Sequence, residues 1–423
     1  MLYTEALMTM RNRYRALFSV REIENGRILQ WAFGAAVLGY FIAFLGWMGS
    51  SATTIDAVAR GVHSCWPYFQ NCGDFYFLRA LPEGYSQTFL YMVFFGMLVA
   101  VVYYIAERRW TAAHMALVPA FLWHATVTFV LTELMIGNYD YYLFTFGLIL
   151  LFLPHKEFFL KLSLVFFYFL STIAKMHEAW VIGTYFSSLK TGLPLFPDWS
   201  IPLMTNFVIF MEMIATWFLL GRNRVLQRSV LMFFIAFHLY SGLLVGYRYP
   251  ATVLPMLIIL FGPWYRYTPP PFDKKSLFGW MLIVLMLVLQ LIPKFIPGDE
   301  KMTLEGNKYG LYMFESNHQC VSTATIYLEN GMTATLTDES VVARARCDPY
   351  RYWFRLRASC DLPDIEHIAW TFDHSINGGP FYRIVDVPDA CTLTYAPFEH
   401  NAWIRTAKDA PSIIGYPVEN VYE

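Results

Sequence analysis

From residue 27 to residue 296 the chain is a succession of apolar runs separated by short polar joints. A helix needs about 20 apolar residues to cross the hydrocarbon of a bilayer, and it must satisfy its backbone polar groups internally. The runs predict spans near 27–49, 87–106, 112–136, 141–153, 158–175, 203–221, 228–246, 251–265 and 277–296. Those at 141–153 and 251–265 are short, and they suit tilted pieces, half-helices or buried helices. The expected fold is mainly α: a polytopic helical membrane bundle of about nine spans, followed by a small, mostly β domain.

Composition narrows the class further. Apolar residues make up 57% of the sequence and charged residues 15%, against about 25% charge in soluble domains. That excludes a disordered chain, a disulfide-rich miniprotein and an ordinary cytosolic enzyme. The 31 basic and 32 acidic residues nearly cancel, so no bulk field favours nucleic acid as a partner. The partner expected from the sequence is the lipid bilayer. Its interfaces suit the abundant aromatics, 37 Phe, 28 Tyr and 13 Trp.

Charge placement predicts the orientation. Residues 1–26 are polar and Arg-rich, and no small-residue cleavage site of a signal peptide follows the first apolar run. With this segment cytoplasmic, the inner side holds Arg11, Arg13, Arg15, Arg21, Arg108, Arg109, Lys156, Arg222, Arg224, Arg266, Lys274 and Lys275. The outer loops hold only Arg60, Arg79, Lys190 and Arg248. This obeys the positive-inside rule and puts residues 297–423 outside. Cysteine usage agrees. Cys65 and Cys72 lie in the first outer loop, and Cys320, Cys347, Cys360 and Cys391 in the C-terminal region. Cysteines gathered on an oxidising side predict disulfides. Both a Cys65–Cys72 loop and a link from that loop to the C-terminal domain are open. No Asn-x-Ser/Thr sequon occurs, which favours a bacterial inner membrane with a periplasmic domain over an endoplasmic reticulum membrane and lumen.

The predicted division is an N-terminal segment at 1–26, a transmembrane domain at 27–296 and an extracytoplasmic domain at 297–423. In the last, alternating runs at 323–327 and 333–336 flank Asn330-Gly331, a hairpin signal. Asn377-Gly378-Gly379 is a second turn, leading into a strand at 381–385, and a helix is expected near 349–358.

Ionisable residues inside spans are costly and are functional candidates. They are His114, His124, Glu133, Lys161, Lys175, Glu212 and His238. His114 and Lys161 lie near the inner face, where long side chains snorkel. Lys175 closes the apolar run LVFFYFLSTIAK at its outer end. A lysine there is either an interfacial anchor or a desolvated amine able to act as a base. His238, in FHLYSG, is either a packing residue or, with His124, a haem ligand. Glu212 must be protonated or paired at its depth. There is no GxSxG, HExxH, P-loop, Rossmann fingerprint or metal cluster.

Several stretches together resemble vitamin K-dependent γ-glutamyl carboxylases and their bacterial relatives, the HTTM-domain proteins. FFYFLSTIAKMHEAWVIGTYFSSLKTGLPLFP (166–197) resembles the family's aromatic helix that ends in Lys and is followed by Trp and Gly, here Lys175, Trp180 and Gly183. NYDYYLFTFGLILLFLP (138–154) is similar to its preceding element, which opens with Asn. MEMIATWFLLGRNR (211–224) and FHLYSGLLVGYRYP (237–250) are similar to its acid-then-Arg and Phe-His-Leu elements. WTFDHSINGGPFYRIVDVPDACTLTYAPFEHNAWI (370–404) resembles the carboxylase luminal segment through Ser375, Asn377, Arg383, Asp386, Pro388, Pro397, Phe398 and Trp403.

The resemblance covers most of residues 20–405 and implies an activity. The lysine amine, Lys175, deprotonates vitamin K hydroquinone or menaquinol. Oxidation of the quinol by O2 to the epoxide generates a base that removes a γ-proton from a glutamyl side chain, and CO2 adds to the carbanion. Asn138, Asp140, His177, Trp180, His238 and Tyr240 are implied to shape the cofactor pocket, and the substrate is a glutamyl-containing peptide or protein on the outer face. The sequence departs from the animal enzymes where they place a His shortly after the Asn. It reads Tyr139-Asp140-Tyr141 there, and an aspartate beside Lys175 would favour the charged amine. The alternative is a non-catalytic quinone- or lipid-binding subunit of a larger assembly.

Overall fold

The computed structural model describes residues 2–49, 65–72, 85–133, 136–189, 192–297, 300–312, 316–340, 347–406, 408–410 and 412–413. Arg60, Arg79 and Lys190, used above to orient the chain, lie outside them.

Among the described residues seven helical stretches are long and apolar enough to cross a membrane: Arg27–Met48, Thr88–Ala106, Trp110–Leu131, Lys156–Lys175, Asp198–Leu220, Arg224–Leu244 and Lys274–Phe295. The two short runs also form helices, Asn138–Phe152 and Arg248–Phe261. At about 1.5 Å per residue neither is long enough to span alone without help from its neighbours. The expected nine runs thus become seven full-length helices and two short ones.

The chain folds into two compact units. The first contains residues 1–59, 74–169 and 211–285. Its N-terminal segment is helical over Leu2–Leu17 and Val20–Asn25 and is tied down by specific bonds. Glu22 accepts the backbone N–H groups of His155 and Lys156 at 3.0 and 2.8 Å. A carboxylate there satisfies orphan donors at the start of helix Lys156–Lys175 and complements its dipole. Glu24 accepts from Arg15 and from Thr111 Oγ1. The buried His114 ring bridges Tyr14 and the Leu151 carbonyl at 2.8 and 3.0 Å. Lys161 pairs with Glu157 at 2.5 Å and donates to the Arg266 carbonyl at 2.7 Å. These two residues are therefore fixed by named partners.

The second unit contains residues 60–73, 170–210 and 286–423, so it reaches beyond the expected domain at 297–423. Its sheet is antiparallel, with strand order β2-β1-β3-β4-β5. The strands are β1 (His318–Leu328), β2 (Thr333–Ser340), β3 (Ile365–Ile376), β4 (Phe381–Val387) and the two-residue β5 (Ser412–Ile413). Both predicted hairpins are present, with Asn330-Gly331 turning β1 into β2 and Asn377-Gly378-Gly379 turning β3 into β4. Helix Pro349–Cys360 is capped by Asp348, whose carboxylate accepts Tyr350 N–H at 2.9 Å. It covers the sheet through Tyr350 and Trp353, which pack with Trp370, Phe372, Ile384 and Tyr395.

Three disulfides close this unit: Cys65–Cys72, Cys320–Cys347 and Cys360–Cys391. The Cys65–Cys72 loop is joined to the C-terminal domain by hydrogen bonds. Tyr350 donates to the Cys65 carbonyl at 2.8 Å, and Gln70 donates to the Tyr395 carbonyl at 2.9 Å.

Candidate functional site

The second unit holds Lys175, His177 and Trp180 of the predicted site. Helix Lys156–Lys175 ends at the lysine, and the chain turns sharply. His177 N–H donates to the Lys175 carbonyl at 2.9 Å, and Trp180 N–H donates to the His177 carbonyl at 3.2 Å. This turn lays the Trp180 ring under the amine, with Lys175 Nζ 5.6 Å from the ring centroid, a cation–π geometry if the amine is charged. Lys175 is 5% exposed. Gly183 then reverses the chain at φ +82°, where a Cβ would meet Ile201 Cγ2 at 2.7 Å. The Tyr185 ring returns to pack on Trp180 at 5.2 Å.

The C-terminal domain completes this neighbourhood. Asn317 donates from Nδ2 to the Tyr185 carbonyl at 2.8 Å and to Ser188 Oγ at 3.2 Å. Its main chain is paired with Asn377, whose Oδ1 accepts Asn317 N–H at 2.8 Å. His318, the next residue, meets His374 with Nδ1 3.0 Å from Nε2. His374 Nδ1 lies 2.8 Å from the Met302 carbonyl. Lys301, beside Met302, donates to the Ala174 carbonyl at 2.8 Å and places its amine 5.4 Å from the Tyr312 ring centroid. Ala174 precedes Lys175. The contacts therefore form a closed circuit: Lys175, Trp180, Tyr185, Asn317, His318, His374, Met302, Lys301 and back to Ala174.

Polar atoms in this circuit are buried without a hydrogen-bond partner among the described residues: Trp180 Nε1, Asn317 Oδ1 and His318 Nε2. Buried polar groups are nearly always satisfied, by protein, water or a ligand. Burial, reinforced by His374, Lys301 and His177, holds the His318 proton affinity well below the ordinary histidine value of 6.5. The ring is therefore neutral at neutral pH. Arg383, in β4, forms a two-pronged pair with the buried Asp373 at 2.9 and 3.1 Å, and Ser375 Oγ donates to the Gly379 carbonyl at 2.7 Å. These two residues brace β3 and its turn.

The first unit holds the other four predicted residues in two clusters. Asn138, half-buried, opens helix Asn138–Phe152. Asp140 is fully buried; one oxygen meets His124 Nε2 at 2.9 Å and the other accepts Gly137 N–H at 2.6 Å. The His124 ring stacks on Trp47 at 5.3 Å. In the second cluster His238 Nε2 is 2.5 Å from Tyr168 Oη, and Tyr142 and Tyr249 share a 2.9 Å hydroxyl–hydroxyl bond. Glu212 lies within electrostatic reach of Tyr142, Tyr168 and Tyr249. Tyr240 is half-buried on the same helix as His238. His124 and His238 thus turn their Nε2 atoms to different protein partners.

The chain matches no protein-family model, no curated protein and no solved structure.

Sequence reasoning did not single out Lys301, Asn317, His318, His374, Tyr168 or Tyr249. The tyrosines were visible only as part of aromatic-rich runs, and the two histidines sit in strands of ordinary composition. His374 lies within the segment that carries the luminal resemblance, directly before Ser375, and that position was its one available signal.

Proposed function

We propose that the protein is a membrane enzyme of the vitamin K-dependent γ-glutamyl carboxylase type, with Lys175 as the base that deprotonates a hydroquinone. The observation that carries this reading is the buried Lys175 amine on the face of Trp180, within a circuit that contains unmatched polar atoms. The orphaned donor and acceptors suit a ligand that both gives and takes hydrogen bonds, as a quinol head group does.

When bound, the quinol supplies, through its oxidation by O2 to the epoxide, the base that removes a glutamyl γ-proton before CO2 adds. The overall change converts quinol, O2, CO2 and a glutamyl side chain into epoxide, γ-carboxyglutamate and water. The chain's own contribution is to present the buried Lys175 amine to the head group and to exclude water from a reactive site. Asp140 is held within the first unit by His124 and the Gly137 N–H. Trp180, His177 and the histidine pair shape the head-group site.

The orientation proposed is a cytoplasmic N-terminus in a bacterial inner membrane and a periplasmic C-terminal domain. The basic residues of the joints and the three disulfides support it. An outward-facing glutamyl peptide would then meet the disulfide-bonded domain.

The test uses purified protein in nanodiscs with menaquinol or vitamin K hydroquinone, O2, labelled bicarbonate and a short Glu-containing peptide. Epoxide and incorporated label are measured separately in wild type and Lys175→Ala. Both products are expected, and both should be lost in the variant. Epoxide without label would keep the lysine chemistry and remove glutamate as substrate. Quinol binding with neither product would overturn the enzyme reading in favour of a quinone-binding subunit.

A further inference from the structure

Three hydrogen-bonded groups fix the tautomer of a buried imidazole. The Met302 carbonyl can only accept, so the proton facing it belongs to His374 Nδ1 at 2.8 Å. A second proton on His374, whose ring is fully buried, would create a buried cation, so the ring carries one proton and its Nε2 is a bare acceptor. His318 Nδ1, 3.0 Å away, must then be the donor. That leaves the His318 Nε2 lone pair as the end of the chain. Among the described residues this atom is buried without a hydrogen-bond partner, in a residue only 6% exposed.

A neutral imidazole held this way can accept a hydrogen bond, but it is poorly placed to keep a proton, because Lys301 and His177 lie close enough to oppose a positive ring. The ligand that satisfies it must bring an O–H or N–H and no positive charge. The circuit of contacts runs from His318 through His374, Met302 and Lys301 to Ala174, next to Lys175. We infer that His318 Nε2 is the acceptor for a hydroxyl of the hydroquinone head group, and that His374 is a positioning residue that holds His318 in the accepting tautomer. The inference rests on the quinol reading above and adds a specificity to it. His318 distinguishes the reduced head group, which has hydroxyls to donate, from the oxidised quinone, which has none.

The experiment compares menaquinol and menaquinone binding to the full-length protein in nanodiscs, in wild type and in His318→Asn. The asparagine amide keeps a donor for His374 and removes the Nε2 acceptor. The expected result is about tenfold weaker quinol binding with unchanged quinone binding. In turnover, the quinol KM should rise by a similar factor with kcat within about threefold, since the residue binds and does not transfer the proton. Equal losses for both redox forms, or none for either, would overturn the inference while epoxide formation by wild type kept the lysine reading alive. Absence of quinol binding and epoxide in wild type would overturn both. Should His318→Asn fail to fold, wild type labelled with nitrogen-15 histidine decides the matter. A non-protonated Nε2 resonance that moves with menaquinol and not with menaquinone supports the inference, and one that moves with neither or with both refutes it.

Discussion

Asp140 and His124 meet at 2.9 Å with neither side chain reaching the surface. The pair joins helix Asn138–Phe152 to helix Trp110–Thr126. Each group is the other's means of being buried. Asp140→Ala would leave His124 Nε2 and the Gly137 N–H unmatched, at a cost of about 3 kcal/mol. His124→Ala should cost a similar amount. The double variant should destabilise by clearly less than the sum, with a coupling of at least about 1 kcal/mol in thermal unfolding. Additive losses would show that the pair does not act as a unit.

That pair illustrates what the sequence discloses. The apolar runs were legible because about 20 uninterrupted apolar residues have few other ways to fold, and the hairpins were legible because Asn330-Gly331 and Asn377-Gly378 are strong turn signals. Even the Cys65–Cys72 bridge was among the open pairings, since a short spacing makes it easy to close. The partner of Asp140 was not legible. His124 is 16 residues away on another helix, and only the packing of the two helices brings them together. The same holds for His318 and His374, which lie 56 residues apart on paired strands. Lys301 sits in a polar stretch where nothing in the sequence marks it. Side chains that meet only through tertiary packing leave no periodicity to read.

Stability of the C-terminal domain should depend on its two long-range disulfides. Cys320–Cys347 and Cys360–Cys391 close sequence separations of 27 and 31 residues. Loop-closure entropy assigns each about 3–4 kcal/mol. Cys360→Ser with Cys391→Ser should lower the unfolding free energy of this domain by about 2–4 kcal/mol, read by denaturant titration of its tryptophans. Reduction of wild type should have a larger effect, and an unchanged titration after full reduction would contradict the assignment.

Acid should weaken the same domain through His318. Burial is the largest cause of its depressed proton affinity, followed by His374, Lys301 and His177. The unfolded chain therefore takes up this proton first as pH falls. Stability should be fully present above the ordinary value of 6.5 and decline below it, by up to about 1.4 kcal/mol per pH unit for one group. His318→Asn should flatten that slope in melting curves recorded from about pH 7.5 to 5. An identical slope in the variant would assign the acid sensitivity to other groups.

Glu22 should act as a clamp between the N-terminal segment and the bundle. Its two oxygens accept separate backbone donors, His155 N–H and Lys156 N–H. Glu22→Gln keeps the size but presents one acceptor oxygen and no charge to the helix start. The expected cost is about 1–2 kcal/mol in the first unit, read as faster amide exchange at residues 155–159. Unchanged exchange there would mean that the carboxylate is dispensable.

The tightest test of the Lys175 neighbourhood is made without touching a polar group. Gly183 adopts φ +82°, and an added Cβ would sit 2.7 Å from Ile201 Cγ2 and 3.3 Å from the Pro202 nitrogen. Gly183→Ala thus combines left-handed strain with a clash against the Ile201 side chain and a tight approach to the Pro202 backbone. Trp180 lies just before this turn and Tyr185 just after it, their rings 5.2 Å apart. The variant should lose about 1–3 kcal/mol of stability and misplace the indole beneath Lys175. Quinol-dependent turnover should fall by about tenfold or more, because a displacement of about 1 Å can cost two orders of magnitude. Gly183→Asn is the control: asparagine tolerates the left-handed region better, so it relieves the backbone strain but keeps the steric contact. If turnover is lost equally in both variants, the clash with Ile201 is responsible. Recovery in Gly183→Asn would assign the defect to backbone strain, and wild-type turnover in both would disconnect this turn from the role proposed for Lys175.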